Sequence, residues 1–348
     1  MDAGRIDTDV IVVGGGPAGG AAAIVCAEQR LRVHLFEREA FARERVGETF
    51  HPGIEPVLAQ LGVAGELSKV VGARHEGVWV DWGGARRFEA YGTDAAGPWR
   101  GFQVSRVAFD RMLLARAGAL GAKVMQPCGV HTLRGGEGGS FAVETDGGPI
   151  STRVIIDASG PARWLGRGLG VGQFQRSPRL VARYGYAAGR CPARDKAPLL
   201  VGDGAGWLWT ALVRPDVYQW TRVAVRGRGP GADWIPEELR GLTPLGRSRG
   251  ADVTWRIAGD VARPGWFMAG DAAASLDPTS SHGVLKALLS GMAAGRLAAA
   301  VLRGRIAGAD ACAVYRDWLE GWFAHDAGQL AHHYQRLGIA EFGAMRAG

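Results

Sequence analysis

The residues best suited to chemistry lie in four short groups spread along 348 positions. Gly14, Gly16 and Gly19 carry the G-x-G-x-x-G spacing directly after the apolar run Val10 to Val13. The first glycine permits a tight turn, the second lets backbone approach a pyrophosphate, and the third lets a helix pack closely on the strand. Glu37 closes the next strand, and its carboxylate can accept from ribose hydroxyls. The other groups are Arg45-Val46-Gly47-Glu48-Thr49, the run Val154 to Gly160 (VIIDASG), and Gly265 to Ala273 followed by Asp277 to Gly283.

These groups need elements to hold them. A strand over Val10 to Val13, a small-residue helix over Ala18 to Ala27 and a strand over Arg32 to Phe36 make a βαβ unit whose helix N-terminus faces the phosphates. Phe109 to Ala119 reads as a helix and Lys123 to Met125 as the strand after it. Phe141 to Thr145 and Thr152 to Asp157 read as strands flanking a glycine-rich turn, and Trp266 to Ala269 as another strand. Gly270-Asp271 at a strand end can accept from ribityl hydroxyls. The Pro278 to Gly283 loop enters a helix whose N-terminus carries a partial positive charge suited to a reduced flavin. Taken alone, these are turn residues that need no ligand; together with the glycine triplet they predict FAD.

Gly77 to Tyr91 and Leu180 to Ile257 alternate apolar, aromatic and polar residues, which predicts an antiparallel sheet with one face lining a cavity. The expected organisation is α/β. A discontinuous Rossmann-like FAD-binding domain spans 1–75, 102–165 and 259–302, a β-sheet substrate domain spans 76–101 and 166–258, and a C-terminal helical segment spans 303–348. The formal charge is +7, and all but four of the 41 basic residues are arginine, spread without a polybasic run; this argues against nucleic acid and allows an anionic partner. Cys26, Cys128, Cys191 and Cys312 are scattered, which predicts neither a disulfide framework nor a metal site. With no leader before the first strand and Lys286 and Arg296 breaking the apolar run Val284 to Leu302, the expectation is a cytoplasmic protein with no membrane span. Twelve tryptophans suit a flat ligand, an interface or ordinary core packing.

GGGPAG, VGET, DASG and GDAA with DPTSSHG occur in the order found in FAD-dependent monooxygenases related to p-hydroxybenzoate hydroxylase, geranylgeranyl reductases and flavin-dependent tryptophan halogenases. The sequence resembles that group over most of its length. DASG, and VGET followed by Pro52, are nearer the halogenase and reductase branch. The resemblance implies the glutathione reductase and p-hydroxybenzoate hydroxylase type of FAD domain. It further implies FAD contacts from Gly14, Gly16, Pro17, Ala18, Gly19, Glu37, Arg38, Arg45, Gly47, Arg106, Val130, Ser159, Gly160, Gly270, Asp271, Pro278, Ser280, Ser281, His282 and Gly283.

Halogenases of this group carry a lysine shortly before a tryptophan; here Arg74 and His75 stand in that region, and an arginine does not readily form a haloamine. The W-x-W-x-I-P motif has a partial echo in Trp207 to Leu212. GWLWTALV, DPTSSHGVLKALLSG and YRDWLEGWFAHD resemble more closely the flavoproteins that mature tryptophylquinone enzymes. That resemblance implies hydroxylation of an aromatic ring through a flavin C4a-hydroperoxide, with a tryptophan of a partner precursor as one substrate and NAD(P)H or a flavin reductase as reductant. His282, inside the flavin loop, is the leading candidate catalytic group and His75 the second; His75, His51 and Glu48 are weaker ones, each more readily structural or surface. His332 and His333 are adjacent on a helix, do not share a face, and predict no metal site. The competing readings are an alkene or prenyl reductase, a halogenase, and an FAD-stabilised assembly factor without catalysis.

Overall fold

A computed structural model describes residues 6–40, 49–135, 139–192 and 194–343, apart from the side chain of Ser280. Its first layer is an eight-stranded sheet. Lys123–Met125, Val33–Phe36, Thr8–Val13, Gly148–Asp157 and Trp266–Met268 lie side by side and parallel. Thr8–Val13 is buried at every position, as a parallel strand covered on both faces must be. The carboxyl ends coincide: Val13 pairs with both Phe36 and Asp157, and Asp157 with Met268. The other end of Gly148–Asp157 turns back antiparallel on Phe141–Thr145, which pairs with Val130–Gly135.

The helix after the glycine loop runs Pro17–Glu28, one residue longer at each end than expected. Proline is tolerated at its first position because no intrahelical acceptor exists there. The helix is apolar all round and buried from Pro17 to Ala27, so it belongs between layers and not on a surface. Its second neighbour is the helix Gly283–Leu302, where a Cβ on Gly291 would lie 2.0 Å from the Ala18 carbonyl oxygen. Gly283–Leu302 is long and apolar enough to cross a membrane by length and composition, and here it packs along Pro17–Glu28. The helix Arg106–Ala119 begins earlier than Phe109 because Ser105 caps it, accepting from Ala108 N. Gly308–Arg336 forms one long helix, anchored where the buried Tyr315 hydroxyl donates to the Met268 carbonyl (2.6 Å).

The second large sheet joins both inserted stretches. Leu180–Ala188, Val217–Val225, Gly206–Arg214 and Leu199–Asp203 run antiparallel, as the alternation predicts. One pair departs from that expectation: Leu199–Asp203 runs parallel to Gly77–Trp82, which then hairpins into Arg87–Ala90. With more than a hundred residues between them, the two strands are not joined by a hairpin, which would impose antiparallel pairing.

Replacing Gly291 with alanine should destabilise the fold by about 1–3 kcal/mol, because the clash with backbone outweighs the roughly 1 kcal/mol gained in helix propensity. Urea unfolding measures this, and an unchanged or raised midpoint would show that the two helices separate at no cost.

Candidate functional site: a cofactor cavity shared with an aromatic-lined sheet

The residues one step past the aligned strand ends (Gly14, Glu37, Ala158 and Ala269) line the mouth of one cavity of about 1330 Å³. Ligands bind at this end of an open α/β sheet because backbone N–H groups and helix N-termini converge there. Gly14 takes φ +107°, and a Cβ there would stand 2.3 Å from the Ala158 carbonyl oxygen. Gly19 does not line the cavity; its missing Cβ would meet the Gly14 carbonyl at 1.9 Å, so it sets the helix against the loop. Glu37 is buried, with Oε2 accepting from Gly15 N (2.8 Å) and Oε1 from Glu39 N (3.0 Å). Its carboxylate therefore pins the glycine loop while lining the cavity.

The DASG turn is shaped from beneath. Buried Asp157 accepts from Ser159 N (3.0 Å) and Leu165 N (2.9 Å), while Ser159 Oγ accepts from Trp164 N (2.9 Å). Burial raises the Asp157 pKa, and those donors oppose the rise. Asp271 faces the cavity with protein packed around it; burial raises its pKa and the Arg106 charge opposes this. Arg106 is itself held by Asp110 at 3.3 Å. The two bring opposite charges to one cavity wall.

The flavin loop is fixed by a buried knot that sequence reading did not assign to the site. Asp277 accepts from Trp255 Nε1 (2.6 Å), Thr279 N (3.0 Å) and the Tyr334 hydroxyl (3.1 Å), and that hydroxyl accepts from Trp207 Nε1 (2.7 Å). One carboxylate thus ties the loop to the inserted sheet and the terminal helix. Ser281, at φ +53°, then turns the chain into the helix beginning at Gly283. A non-glycine residue in this region costs roughly 1–2 kcal/mol.

Of the expected cofactor residues, Gly14, Gly16, Pro17, Ala18, Glu37, Arg38, Arg106, Val130, Ser159, Gly160, Gly270, Asp271, Pro278, Ser281, His282 and Gly283 all line this cavity. Arg45, Gly47 and the weaker candidate Glu48 lie outside the described residues, as does the Ser280 side chain. His282 faces the cavity near Lys286 and Asp326; burial lowers its pKa, with Asp326 opposing the fall and Lys286 adding to it. His75 is not on the cavity wall. It is 4% exposed, with Nδ1 on the Gly77 carbonyl (3.1 Å) and Nε2 3.4 Å from Gln103 Nε2. The strand Val71–His75 alternates in burial, and position 75 falls on its inward side, away from the flavin loop. A file of rings links the two histidines: His282 to His51 (5.4 Å), His51 to Tyr91 (4.9 Å) and Tyr91 to His75 (5.6 Å).

The cavity continues onto the inserted sheet, lined by Tyr184, Trp207, Trp209, Gln219 and Thr221, and onto the terminal helix at Trp322 and Asp326. Lys286 pairs with Asp326 (3.2 Å) and stacks on Trp322 (4.7 Å). Sequence reading missed these groups individually; the alternating pattern of the sheet marked the face but not its members. At about 1330 Å³ the space exceeds the ~300–1,000 Å³ usual for a single ligand and suits a dinucleotide with a substrate beside it.

Residues 9–97 match the tryptophan halogenase family. Tryptophan 2-halogenase of Chondromyces crocatus is 27% identical over 359 aligned positions, spanning 94% of this chain and 68% of that protein. The 1H-pyrrole-2-carbonyl-[peptidyl-carrier protein] chlorinase of Pseudomonas fluorescens is 34% identical over 188 positions, 47% of this chain and 42% of that protein. Among solved structures, the myxobacterial chondrochloren halogenase CndH superposes with a TM-score of 0.85 at 24% identity, covering 97% of this chain and 86% of that one. The chain is an FAD-dependent oxidoreductase with the fold of the flavin halogenases. The similarity favours halogenation over the aromatic hydroxylation expected from sequence and lends no support to the tryptophylquinone-maturing resemblance. The glycine cradle, the buried Glu37 and the Arg106–Asp271 wall fit FAD in this flavin-halogenase fold.

Replacing Glu37 with alanine removes an acceptor from both loop and ribose and should weaken FAD binding by about tenfold to a hundredfold, measured by flavin fluorescence titration. An unaltered affinity would place the ribose elsewhere. His75, lowered by burial to about 4 from an ordinary 6.5, favours the neutral ring in the fold. The unfolded chain therefore takes up the proton first, and stability is full above about 6.5 and falls as pH drops towards 4, by up to about 3 kcal/mol. His75→Gln should flatten that limb in urea unfolding at pH 7 and pH 5; an identical slope in both proteins would refute the assignment.

Proposed function

We propose that this protein halogenates an electron-rich aromatic ring using FAD, O₂ and a halide. The observation that carries this reading is the single cavity running from the glycine loop, past His282, to Tyr184 and Trp209 on the sheet. The halogenase relatives favour halogen over oxygen as the group transferred. The balance is one ring C–H, one halide, one O₂, reduced FAD and one proton, giving one C–halogen bond, oxidised FAD and two waters. Bound FAD supplies the electrons for O₂ reduction, renewed by NAD(P)H or by a partner reductase.

The chain's own residues place and protect these reactants. Glu37 and the glycine loop would hold the adenosine end of FAD, and Arg106 and Asp271, on the same cavity wall, would hold its middle. Pro278, Ser281 and the N-terminus of the Gly283 helix line the cavity where they would border the flavin, and that terminus would favour developing negative charge. His282 has its pKa lowered by burial, so its neutral ring can take the proton released when the substrate C–H bond breaks. Trp207, Trp209 and Tyr184 exclude water from the substrate end.

Hydroxylation is the second reading, and one observation favours it. Where the group's lysine is expected, His75 is buried behind the cavity wall and Arg74 is paired with Glu55 at 2.9 Å. Among the described residues lining the cavity, the one lysine is Lys286.

The test is turnover of FAD-loaded protein with a flavin reductase, O₂, and chloride or bromide, on indole, phenol and pyrrole probes. Halogenation requires a product whose mass carries the halogen isotope pattern and which vanishes when halide is omitted. A halide-independent product that takes its new atom from isotope-labelled O₂ would make the protein a hydroxylase.

A further inference from the structure

The sheet side of the cavity carries a polar pair that the cofactor does not use. Gln219 and Thr221 alternate on Val217–Val225 and point to the same face; they are 6% and 7% exposed, and both line the cavity. Gln219 Nε2 donates to the Trp220 carbonyl (2.9 Å) and to Thr221 Oγ1 (2.6 Å). A backbone carbonyl can only accept, so this bond fixes the orientation of the amide. Both amide hydrogens are spent inside the protein, and the carbonyl oxygen Oε1 is left to accept from the cavity. Thr221 Oγ1, accepting from Gln219, keeps its own hydrogen to donate. Side by side, the two residues offer one acceptor and one donor.

The surroundings suit a flat ring. Thr221 pairs with Tyr184 on one neighbouring strand and Trp209 on the other. Those aromatic side chains therefore flank it on the same face, about 10 Å apart at the backbone. Ala182 pairs with Ala251, and both line the cavity, leaving a depression beside Tyr184. Burying a polar pair costs free energy unless a ligand completes its hydrogen bonds, so such a pair discriminates strongly against rings that cannot.

We propose that Gln219 and Thr221 select the substrate, reading an aromatic ring whose ring N–H or phenolic O–H lies next to a carbonyl or carboxyl oxygen. The N–H or O–H donates to Gln219 Oε1 and the neighbouring oxygen accepts from Thr221 Oγ1. This rests on the proposed function insofar as the ring transformed is the ring read.

The experiment compares pyrrole-2-carboxylate with its N-methyl analogue as ligands of the FAD-loaded protein, by calorimetry and by quenching of tryptophan fluorescence. The wild-type protein should prefer the N–H form by about tenfold or more. Gln219→Leu should bind FAD normally and lose that preference. Thr221→Val, which keeps the side-chain shape, should weaken the N–H form several-fold against pyrrole lacking the carboxylate, and it serves as the independent check should Gln219→Leu fold poorly. Equal binding of the two pyrroles by the wild type, no binding of either, or a preference that survives both substitutions overturns the proposal. Selective binding without a halogenated product would leave this reader standing and remove the proposed activity. A halogenated product with indifferent binding would do the reverse.

Discussion

The structure depends on how closely backbone can approach backbone around the helix Pro17–Glu28. On one side Gly19 lets it close on the Gly14 carbonyl, where a Cβ would sit at 1.9 Å. On the other, Gly291 and Gly295 let the helix Gly283–Leu302 close on the Ala18 and Ala22 carbonyls, at 2.0 and 3.0 Å from where their Cβ atoms would be. Packing at this distance does two things. It buries the helix from Pro17 to Ala27, and it aims two helix N-termini, Pro17 and Gly283, into the same cavity. Positive partial charge from both ends then converges on the space a dinucleotide would fill.

Carboxylates that the surrounding protein pushes up organise the rest of the site. Asp157 and Asp277 are buried, Asp271 opens onto the cavity, and each is opposed by what faces it: backbone N–H donors for Asp157, the Arg106 charge for Asp271, and indole, hydroxyl and backbone donors for Asp277. Such groups are expensive alone and rigid when satisfied. Asp277 matters most to architecture, because its donors are Trp255, between two strands, and Tyr334 of the terminal helix, whose hydroxyl in turn accepts from Trp207 of the inserted sheet. The flavin loop is thereby held by elements far apart in the chain.

Fold resemblance and residue chemistry bear differently on the reaction. The halogenase relatives favour one type of oxidation, whereas the positions of His75, Arg74 and Lys286 bear on how a halogen would be delivered. The lysine absent from the region before Trp82 weighed towards hydroxylation in the sequence. The comparisons weigh the other way, because similarity spread along 94% of the chain reflects the whole scaffold and not one side chain.

Local patterns sufficed for the cofactor end. The glycine spacing, the small-residue helix and the acid after the second strand are short-range signals, each forced by backbone geometry within a few residues. The same held for the alternating strands of the inserted sheet, though not for the parallel pairing of Leu199–Asp203 with Gly77–Trp82, which joins segments more than a hundred residues apart. The substrate end was invisible for that reason. Thr221 acquires Tyr184 and Trp209 as neighbours only when three strands come into register, and Asp277 meets Tyr334 only when the terminal helix docks. His75 and His282 were both candidates in the sequence, His75 the weaker; strand phase turned it inward and loop geometry turned His282 to the cavity. Residue type and spacing determined what this protein can hold, and long-range packing decided which side chains face it.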